Sequence, residues 1–139
     1  MTPEQIRLVQ QSAPVLMPRS DSWSTAFYDE LFRTNPEVRP LFPADLTLLR
    51  AKFTDEIAAL LELIGDLAGF EERASRLGAN HAGYGVRAAH YRASSTALIA
   101  AIDQALGDES TPEVLAAWRA VHDLVAETMM SGGQRAPSA

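Results

Sequence analysis

Three histidines, at positions 81, 90 and 122, are the side chains of this sequence best suited to bind a metal ion. A zinc site carried by one helix needs two histidines four residues apart, and none of the three has that spacing. The sequence contains no cysteine, which excludes thiolate metal sites, disulfides, cysteine nucleophiles and cysteine-linked cofactors. Taken alone, His81 therefore has two interpretations, a metal ligand or a residue that caps a helix end.

Other catalytic patterns are weak or missing. The Gly-Tyr-Gly-Val run at residues 83–86 has no strand before it, as a dinucleotide-binding loop requires. No serine lies in a Gly-x-Ser-x-Gly elbow. Pairs among the 18 acidic residues would suit acid–base catalysis, but their spacing favours a solvated helix face. Residue spacing alone does not name a reaction.

The overall composition is that of one globular domain. The chain has 139 residues, of which 47% are hydrophobic and 22% charged, so wholesale disorder is excluded. Its net charge of −6 argues against binding to nucleic acid, which requires clustered basic residues. The polar N-terminus does not resemble a signal peptide, and no apolar run reaches the roughly 18 residues of a membrane span. We expect a soluble, cytoplasmic protein.

The hydrophobic pattern of the sequence predicts that most of these side chains lie on helices. Apolar residues recur with the 3.6-residue period of helices and no stretch alternates as a strand does, which predicts an all-α fold of six or seven helices. A capping box of Thr2 and Gln5 is predicted to start the first helix, and Ser20 or Asp21 to cap the second. Three further helices are predicted at about 46–64, 68–81 and 88–106, the last of them closed by Gly107, and a final helix is predicted to begin near Thr111. Prolines break residues 35–45 into a turn-rich connection. Residues 1–130 form the predicted domain, and residues 131–139 a flexible tail.

Four sequence blocks, taken together, resemble a known family. They are Phe27-Tyr28, residues 35–42 (Asn-Pro-Glu-Val-Arg-Pro-Leu-Phe), residues 77–86 (Leu-Gly-Ala-Asn-His-Ala-Gly-Tyr-Gly-Val) and His90-Tyr91. In this order and at these separations they are similar to the single-domain bacterial haemoglobins and to the globin domain of flavohaemoglobins, over nearly the whole chain. The resemblance implies a globin fold, with six to eight helices around a pocket for haem b.

The resemblance also implies roles for individual residues. His81 falls on the proximal histidine, whose imidazole binds the haem iron. Phe42 matches the aromatic residue that packs on the haem face. Tyr28 matches the distal tyrosine, whose hydroxyl can donate a hydrogen bond to iron-bound dioxygen and slow its release. The alternative for Tyr28 is a purely structural tyrosine. His90 and His122 match no ligand of the family.

Two distal positions depart from the family pattern. Leu49 stands where relatives usually have a glutamine, and Phe53, four residues later, faces the same side of the long helix. The resemblance therefore implies an apolar distal pocket in which Tyr28 is the only evident hydrogen-bond donor. Lys52 is assigned either to a haem propionate or to solvent. Val86, in the block that contains His81, is assigned to the residues that contact the haem.

The proximal side departs from the family as well. Tyr91 matches the tyrosine that, with a glutamate, supports the proximal histidine of flavohaemoglobins. At the position expected for that glutamate the sequence has Gly133, and Glu127 lies too early to replace it. Ser94 stands where relatives often have a bulkier apolar residue. The missing glutamate implies a weaker activation of oxygen than in flavohaemoglobins.

The function that the resemblance implies is that of a haem b globin, which binds dioxygen, nitric oxide or carbon monoxide reversibly for storage, delivery or sensing. A nitric oxide dioxygenase is the alternative. Because 139 residues leave no room for flavin and nicotinamide modules, this enzyme would depend on an external reductase. A haem-free globin-fold interaction module is the third possibility. Relatives include monomers and homodimers, so the oligomeric state stays open.

Overall fold

A computed structural model of the protein describes residues 1–82 and 88–134. In these residues the secondary structure consists of α-helices, short 3-10 helices and connecting loops, with no strand, which confirms the predicted all-α fold. The six α-helices of this part of the chain are α1 (Pro3–Leu16), α2 (Ser20–Thr34), α3 (Thr47–Glu62), α4 (Leu67–Ala82), α5 (Ala88–Leu106) and α6 (Pro112–Gln134). The 3-10 helices are Met17–Arg19, Pro36–Leu41 and Gly107–Glu109.

The ends of three helices follow their local sequence signals. Thr2 has an extended backbone, and its hydroxyl accepts from the Gln5 N–H at 3.1 Å while the Gln5 side chain accepts from the Thr2 N–H at 3.0 Å. This reciprocal pair is the capping box that the sequence predicts for α1. The Thr111 hydroxyl accepts from the Val114 N–H at 3.1 Å and so caps α6. Gly107, with a φ of 56°, ends α5 in a conformation that favours glycine.

The predicted cap of α2 is wrong. Ser20 was expected to cap the helix, with Asp21 as the alternative, but Ser20 is already the first helical residue, with φ −61° and ψ −32°. An N-cap residue needs a non-helical backbone, so Ser20 cannot serve as one. The 3-10 helix Met17–Arg19 leads directly into α2, and Arg19 occupies the cap position without a side-chain hydrogen bond.

Other helix boundaries differ by a few residues from the prediction. Helix α3 spans Thr47–Glu62, slightly less than the predicted 46–64. Helix α6 is helical through Gln134, so the first residues of the predicted tail at 131–139 belong to this helix, whereas residues 135–139 lie outside the described residues. The domain boundary at residue 130 therefore stays a prediction. None of the described helices is long and apolar enough to cross a membrane.

Two hydrophobic cores hold the helices together. The larger core lies where α2 crosses α5 and where α1 packs on α6, and it includes the buried side chains of Trp23, Ile102 and Trp118. The smaller core lies mainly between α4 and α6, around the buried Phe70 and Met129. Helix α3 contacts both cores, because Leu49, Phe53, Ile57 and Leu61 pack on the larger core and Leu60 belongs to the smaller one.

Helices α4 and α6 approach each other closely at Gly78. A Cβ atom at this position would lie 1.7 Å from the carbonyl oxygen of Met129, far inside van der Waals contact. Backbone therefore packs on backbone here, and only glycine can occupy the position without moving a helix. This contact lies one turn before His81 and determines how the end of α4 sits against α6.

Candidate functional site

Tyr28 and the four aromatic rings that contact it form a group that we call the aromatic wall, and Trp23 adjoins this group through Phe53. Its members are Phe27, Tyr28 and Phe32 on α2, Phe42 in the following loop and Phe53 on α3. The ring of Tyr28 lies at its centre, with centroids 5.8 Å from Phe42 and 5.6 Å from Phe53 in edge-to-face arrangements. Such contacts are favourable beyond the burial of apolar area. The fold thus brings together three of the candidate site residues that lie far apart in sequence.

The Tyr28 hydroxyl is a donor without a partner in the wall. The residue is only 5% exposed, and burial raises the pKa of its phenol to about 12, with the positive charge of Arg50 acting weakly in the opposite direction. The hydroxyl therefore keeps its proton at neutral pH. It takes part in none of the hydrogen bonds of the described residues, so that proton is available to an added ligand.

The other candidate residues on α3 divide into two apolar side chains and one charged side chain. Leu49 and Phe53 are half-buried and pack against the larger core, as their four-residue spacing predicts. Lys52, the only lysine of the sequence, is exposed and forms none of the ion pairs among the described residues. The arrangement leaves its ammonium group free in solvent.

His81 lies in the last turn of α4 and is half-buried. Its Nδ1 atom is 2.7 Å from the carbonyl oxygen of Leu77, one turn earlier. A carbonyl oxygen can only accept, so Nδ1 must carry the proton and donate it. In the neutral imidazole the lone pair then lies on Nε2, the atom that would face a metal. The backbone of α4 thus selects the tautomer of His81.

Tyr91 packs against the smaller core, whose buried residues include Phe70 and Ala74 of α4. It is half-buried, and burial raises the pKa of its phenol. Among the described residues no hydrogen bond joins Tyr91 to His81 or to a carboxylate. Gly133 lies on the last turn of α6 and offers no acidic group. In the described residues Tyr91 thus takes part in apolar packing and in no polar contact with His81.

A polar pair that sequence analysis did not anticipate lies between α5 and α6. The Nε2 atom of His122 is 3.2 Å from the Ser94 hydroxyl, and its Nδ1 atom is buried without a hydrogen-bond partner, 3.6 Å from a carboxylate oxygen of Asp123. Burial lowers the pKa of His122, and Asp123 offsets part of this effect. Ser94 lies four residues before the buried Leu98, and His122 lies four residues after the buried Trp118. This spacing places Ser94 and His122 on the inward faces of their helices, and it is the sequence signal that could have predicted the pair.

His81 does not belong to the wall. Val86 lies outside the described residues. His81 makes no ring contact or hydrogen bond with the wall among the described residues, because its bonded partner is Leu77. No group of three or more histidine or acidic side chains suited to a bare metal ion occurs in the described part of the chain.

Comparison with known proteins defines the class. The globin family model matches residues 25–129, which include Tyr28, Phe42, His81 and Tyr91. The chain belongs to the globin family, and its helical fold is that of a globin, as the sequence resemblance implies.

Flavohemoproteins are among its curated relatives. The chain is 31% identical to the flavohemoprotein of Bordetella pertussis over 139 residues, with 98% of this chain and 34% of that protein covered. It is 32% identical to the flavohemoprotein of Xylella fastidiosa over 138 residues, with 92% of this chain and 33% of that protein covered. The chain thus spans about a third of the length of these relatives.

Solved structures of bacterial globins share the fold. An engineered carbene transferase, described as a candidate nitric oxide dioxygenase from Rhodothermus marinus, superposes with a TM-score of 0.87 at 27% identity, covering 97% of this chain and 94% of that one. The bacterial globin of Campylobacter jejuni superposes with a TM-score of 0.84 at 21% identity, covering 96% of this chain and 97% of that one. The second of these supports the fold alone.

Proposed function

We propose that this globin holds haem b through Nε2 of His81 and binds dioxygen and other diatomic ligands reversibly, for storage, delivery or sensing. The observation that carries the proposal is the hydrogen bond from His81 Nδ1 to the Leu77 carbonyl oxygen, 2.7 Å long. It orients the ring and leaves the lone pair on the nitrogen that a haem iron needs. Haem would supply an iron atom able to take a diatomic ligand at its open position.

The aromatic wall supports the distal half of this proposal. Haem is a flat, largely apolar group, and Phe42, Leu49 and Phe53 present apolar surface at the larger core. Phe42 meets Tyr28 edge to face, so both rings hold each other in place. The wall is therefore suited to pack on the haem and to exclude water from the ligand side.

Tyr28 is the residue that we assign to ligand stabilisation. Its pKa of about 12 keeps the hydroxyl protonated, and no described residue competes for the proton. A donor that already lies in an apolar pocket needs no reorganisation when a partly anionic ligand arrives. We assign the remaining candidates to supporting roles: Lys52 to a haem propionate, and Val86 and Tyr91 to packing beside the haem.

Haem titration of purified protein tests the proposal. We expect the wild type to take up one haem and to give a histidine-ligated ferrous carbonyl spectrum. His81→Gly should lose that spectrum and regain it when imidazole is added, because free imidazole replaces the missing ring. His90→Gln is the matched control and should behave as the wild type. Haem uptake with an unchanged carbonyl spectrum in His81→Gly, without imidazole, would contradict the assignment. Failure of the wild type to bind haem would favour the haem-free interaction module.

A nitric oxide dioxygenase is the second candidate. The flavohemoprotein relatives and the likeness to a protein described as a candidate nitric oxide dioxygenase favour it, and the free Tyr28 hydroxyl suits it. In this reaction nitric oxide, dioxygen and one electron give nitrate, so a reductase must supply the electron. Gly133 weighs against a high rate, because it brings no carboxylate to Tyr91.

Turnover with a generic flavin reductase separates the two candidates. We expect a reversible ligand carrier to form nitrate once per bound dioxygen and then to stop or proceed slowly. A dioxygenase would form nitrate continuously, in proportion to the electrons consumed. The measurement compares the nitrate produced with the amount of haem protein and with the electrons consumed, and the His81→Gly protein serves as the blank.

A further inference from the structure

Arg39 makes an unusual set of contacts to the loop that carries Phe42. It lies in the 3-10 helix Pro36–Leu41, and its Nη1 atom donates to the carbonyl oxygens of Phe42 at 3.2 Å and Pro43 at 2.9 Å. Its Nη2 atom donates to the carbonyl oxygen of Ala44 at 3.1 Å. One guanidinium thus binds three consecutive carbonyl groups.

The backbone of this loop cannot satisfy those carbonyls by itself. Residues 42–44 lie between the 3-10 helix and α3 and have no helical hydrogen bonds of their own. The two prolines at 40 and 43 remove N–H donors from the segment. The planar fork of Arg39 supplies donors in their place, and such charge-assisted bonds are stronger than neutral ones. A return bond from the Phe42 N–H to the Arg39 carbonyl oxygen, 3.1 Å long, closes the loop.

The same guanidinium also touches the aromatic wall. Its central carbon lies 4.9 Å from the centroid of the Phe32 ring, within the range of a cation–π contact. The Phe32 ring in turn lies 5.2 Å from Phe42 and 6.0 Å from Tyr28. Arg39 therefore connects the backbone of the Phe42 loop to the α2 side of the wall. It forms none of the ion pairs among the described residues, so no carboxylate there draws it away.

We infer that Arg39 is the positioning residue of the distal pocket: it holds Phe42, and through Phe42 the Tyr28 ring, in the place from which they contact the haem and its ligand. The effect on haem and ligand rests on the proposed function, whereas the contacts of Arg39 with the loop and the wall do not depend on haem. The role of Arg39 is indirect: it acts through the loop and the wall and not by contact with the haem or the ligand.

The test compares Arg39→Gln and Arg39→Lys with Arg33→Gln. Arg33 is the matched control because it lies on the exposed face of α2, where it pairs with Glu30 at 2.6 Å and touches no part of the wall. Haem loss to an excess of a haem-scavenging apoprotein is measured first. We expect Arg39→Gln to release haem about tenfold faster than the wild type, Arg39→Lys by a smaller factor, and Arg33→Gln at the wild-type rate.

The infrared C–O stretch of the ferrous carbonyl complex is the readout that a merely structural role would not move. Its position and width report the field of the distal groups, so we expect a shift or a broadening in both Arg39 variants and none in Arg33→Gln. The free energy of unfolding is measured in parallel. Haem release that rises only as far as the unfolding free energy falls, with an unchanged C–O stretch, would overturn the inference.

Hydrogen exchange in the haem-free protein separates this inference from the proposed function. We expect the amides of residues 42 and 44–47 to exchange faster in Arg39→Gln, while the amides of α6 keep their protection. This result would support the loop contacts even if the wild type bound no haem, an outcome that contradicts the proposed function alone. Unchanged exchange in residues 42–47 would show that the guanidinium does not hold the loop.

Discussion

The aromatic wall and the end of α4 lie in different cores and are held in place in different ways. In the wall, side chains from α2, α3 and the intervening loop pack on one another, with ring centroids 4.8 to 6.0 Å apart. At the end of α4, the backbone of Gly78 packs directly on the backbone of Met129, one turn before His81. The first arrangement is a network of adjustable side chains, and the second is a contact between two rigid helices.

The two arrangements predict different responses to amino-acid substitution. Side chains can shift between rotamers and share a small change in volume among several neighbours, so the wall should respond in graded steps. A backbone contact has no rotamers to adjust, and an added atom must move a whole helix. The position of His81 is therefore the more sensitive of the two, although it depends on fewer residues.

Gly78→Ala is expected to have the largest effect. Its Cβ would lie 1.7 Å from the Met129 carbonyl oxygen, so α4 must separate from α6 and carry His81 with it. We expect a loss of at least about 3 kcal/mol in the free energy of unfolding, measured with urea, together with weakened haem binding. Gly65→Ala is the control, because a Cβ there meets nothing within 4 Å. Equal stability of the two variants would refute the backbone contact.

Phe53→Ala should cost less and should be tolerated without loss of the fold. The ring contacts Trp23, Phe27 and Tyr28, but it is only half-buried, so we expect about 2–3 kcal/mol in the free energy of unfolding. Leu48→Ala on the same helix, where the side chain is 67% exposed, should change that free energy by less than about 0.5 kcal/mol. An effect of Phe53→Ala as large as that of Gly78→Ala would remove the contrast between the two regions.

Tyr28→Phe should separate ligand chemistry from packing within the wall. The hydroxyl has no partner among the described residues, so its removal should leave the free energy of unfolding nearly unchanged. The rate of dioxygen release, measured by stopped flow, should rise, with about 1–3 kcal/mol at stake for a buried hydrogen bond. An unchanged release rate would mean that the hydroxyl points away from the ligand.

The smallest expected effect is a pH dependence of stability that comes from His122. Burial lowers its pKa below the ordinary 6.5, so the folded protein binds fewer protons than the unfolded chain. Its contribution is therefore fully present above pH 6.5 and declines as the pH falls below that value toward the lowered pKa. Ser94 and Asp123 are the polar groups that face the ring. His122→Gln should flatten this part of the profile in urea unfolding between pH 7.5 and 5, and an unchanged slope would assign it to other groups.

Local signals in the sequence predicted a large part of the fold. The capping box at Thr2, the cap at Thr111 and the stop at Gly107 are confirmed because each depends on residues within one turn. The cap of α2 was wrong because a 3-10 helix precedes Ser20 and gives it a helical backbone. The family resemblance is confirmed as well, whereas the roles of the individual site residues stay predictions.

Two important contacts gave no sequence signal that could be interpreted. Arg39 sits among prolines in a turn-rich segment, where an arginine is ordinarily solvated, and nothing periodic connects it to the carbonyls of residues 42–44. Gly78 lies within a helical pattern, where a glycine indicates a less stable helix and does not by itself predict a close contact with another helix. Both depend on the path of a second segment, which the local sequence does not specify.

Residue types and their spacing along the chain predicted the helices and the capping residues of α1 and α6, because these signals lie within one turn. The globin family and the side chains that could act at a haem came from the resemblance of four sequence blocks to that family. Three contacts became visible only in the tertiary structure: the backbone that packs on Gly78, the carbonyls that the Arg39 guanidinium binds, and the hydrogen-bond distance between Ser94 and His122. Such contacts join residues from different elements or from an irregular loop. Each contact forms only when packing brings the two segments to the right relative position, which the local sequence does not specify.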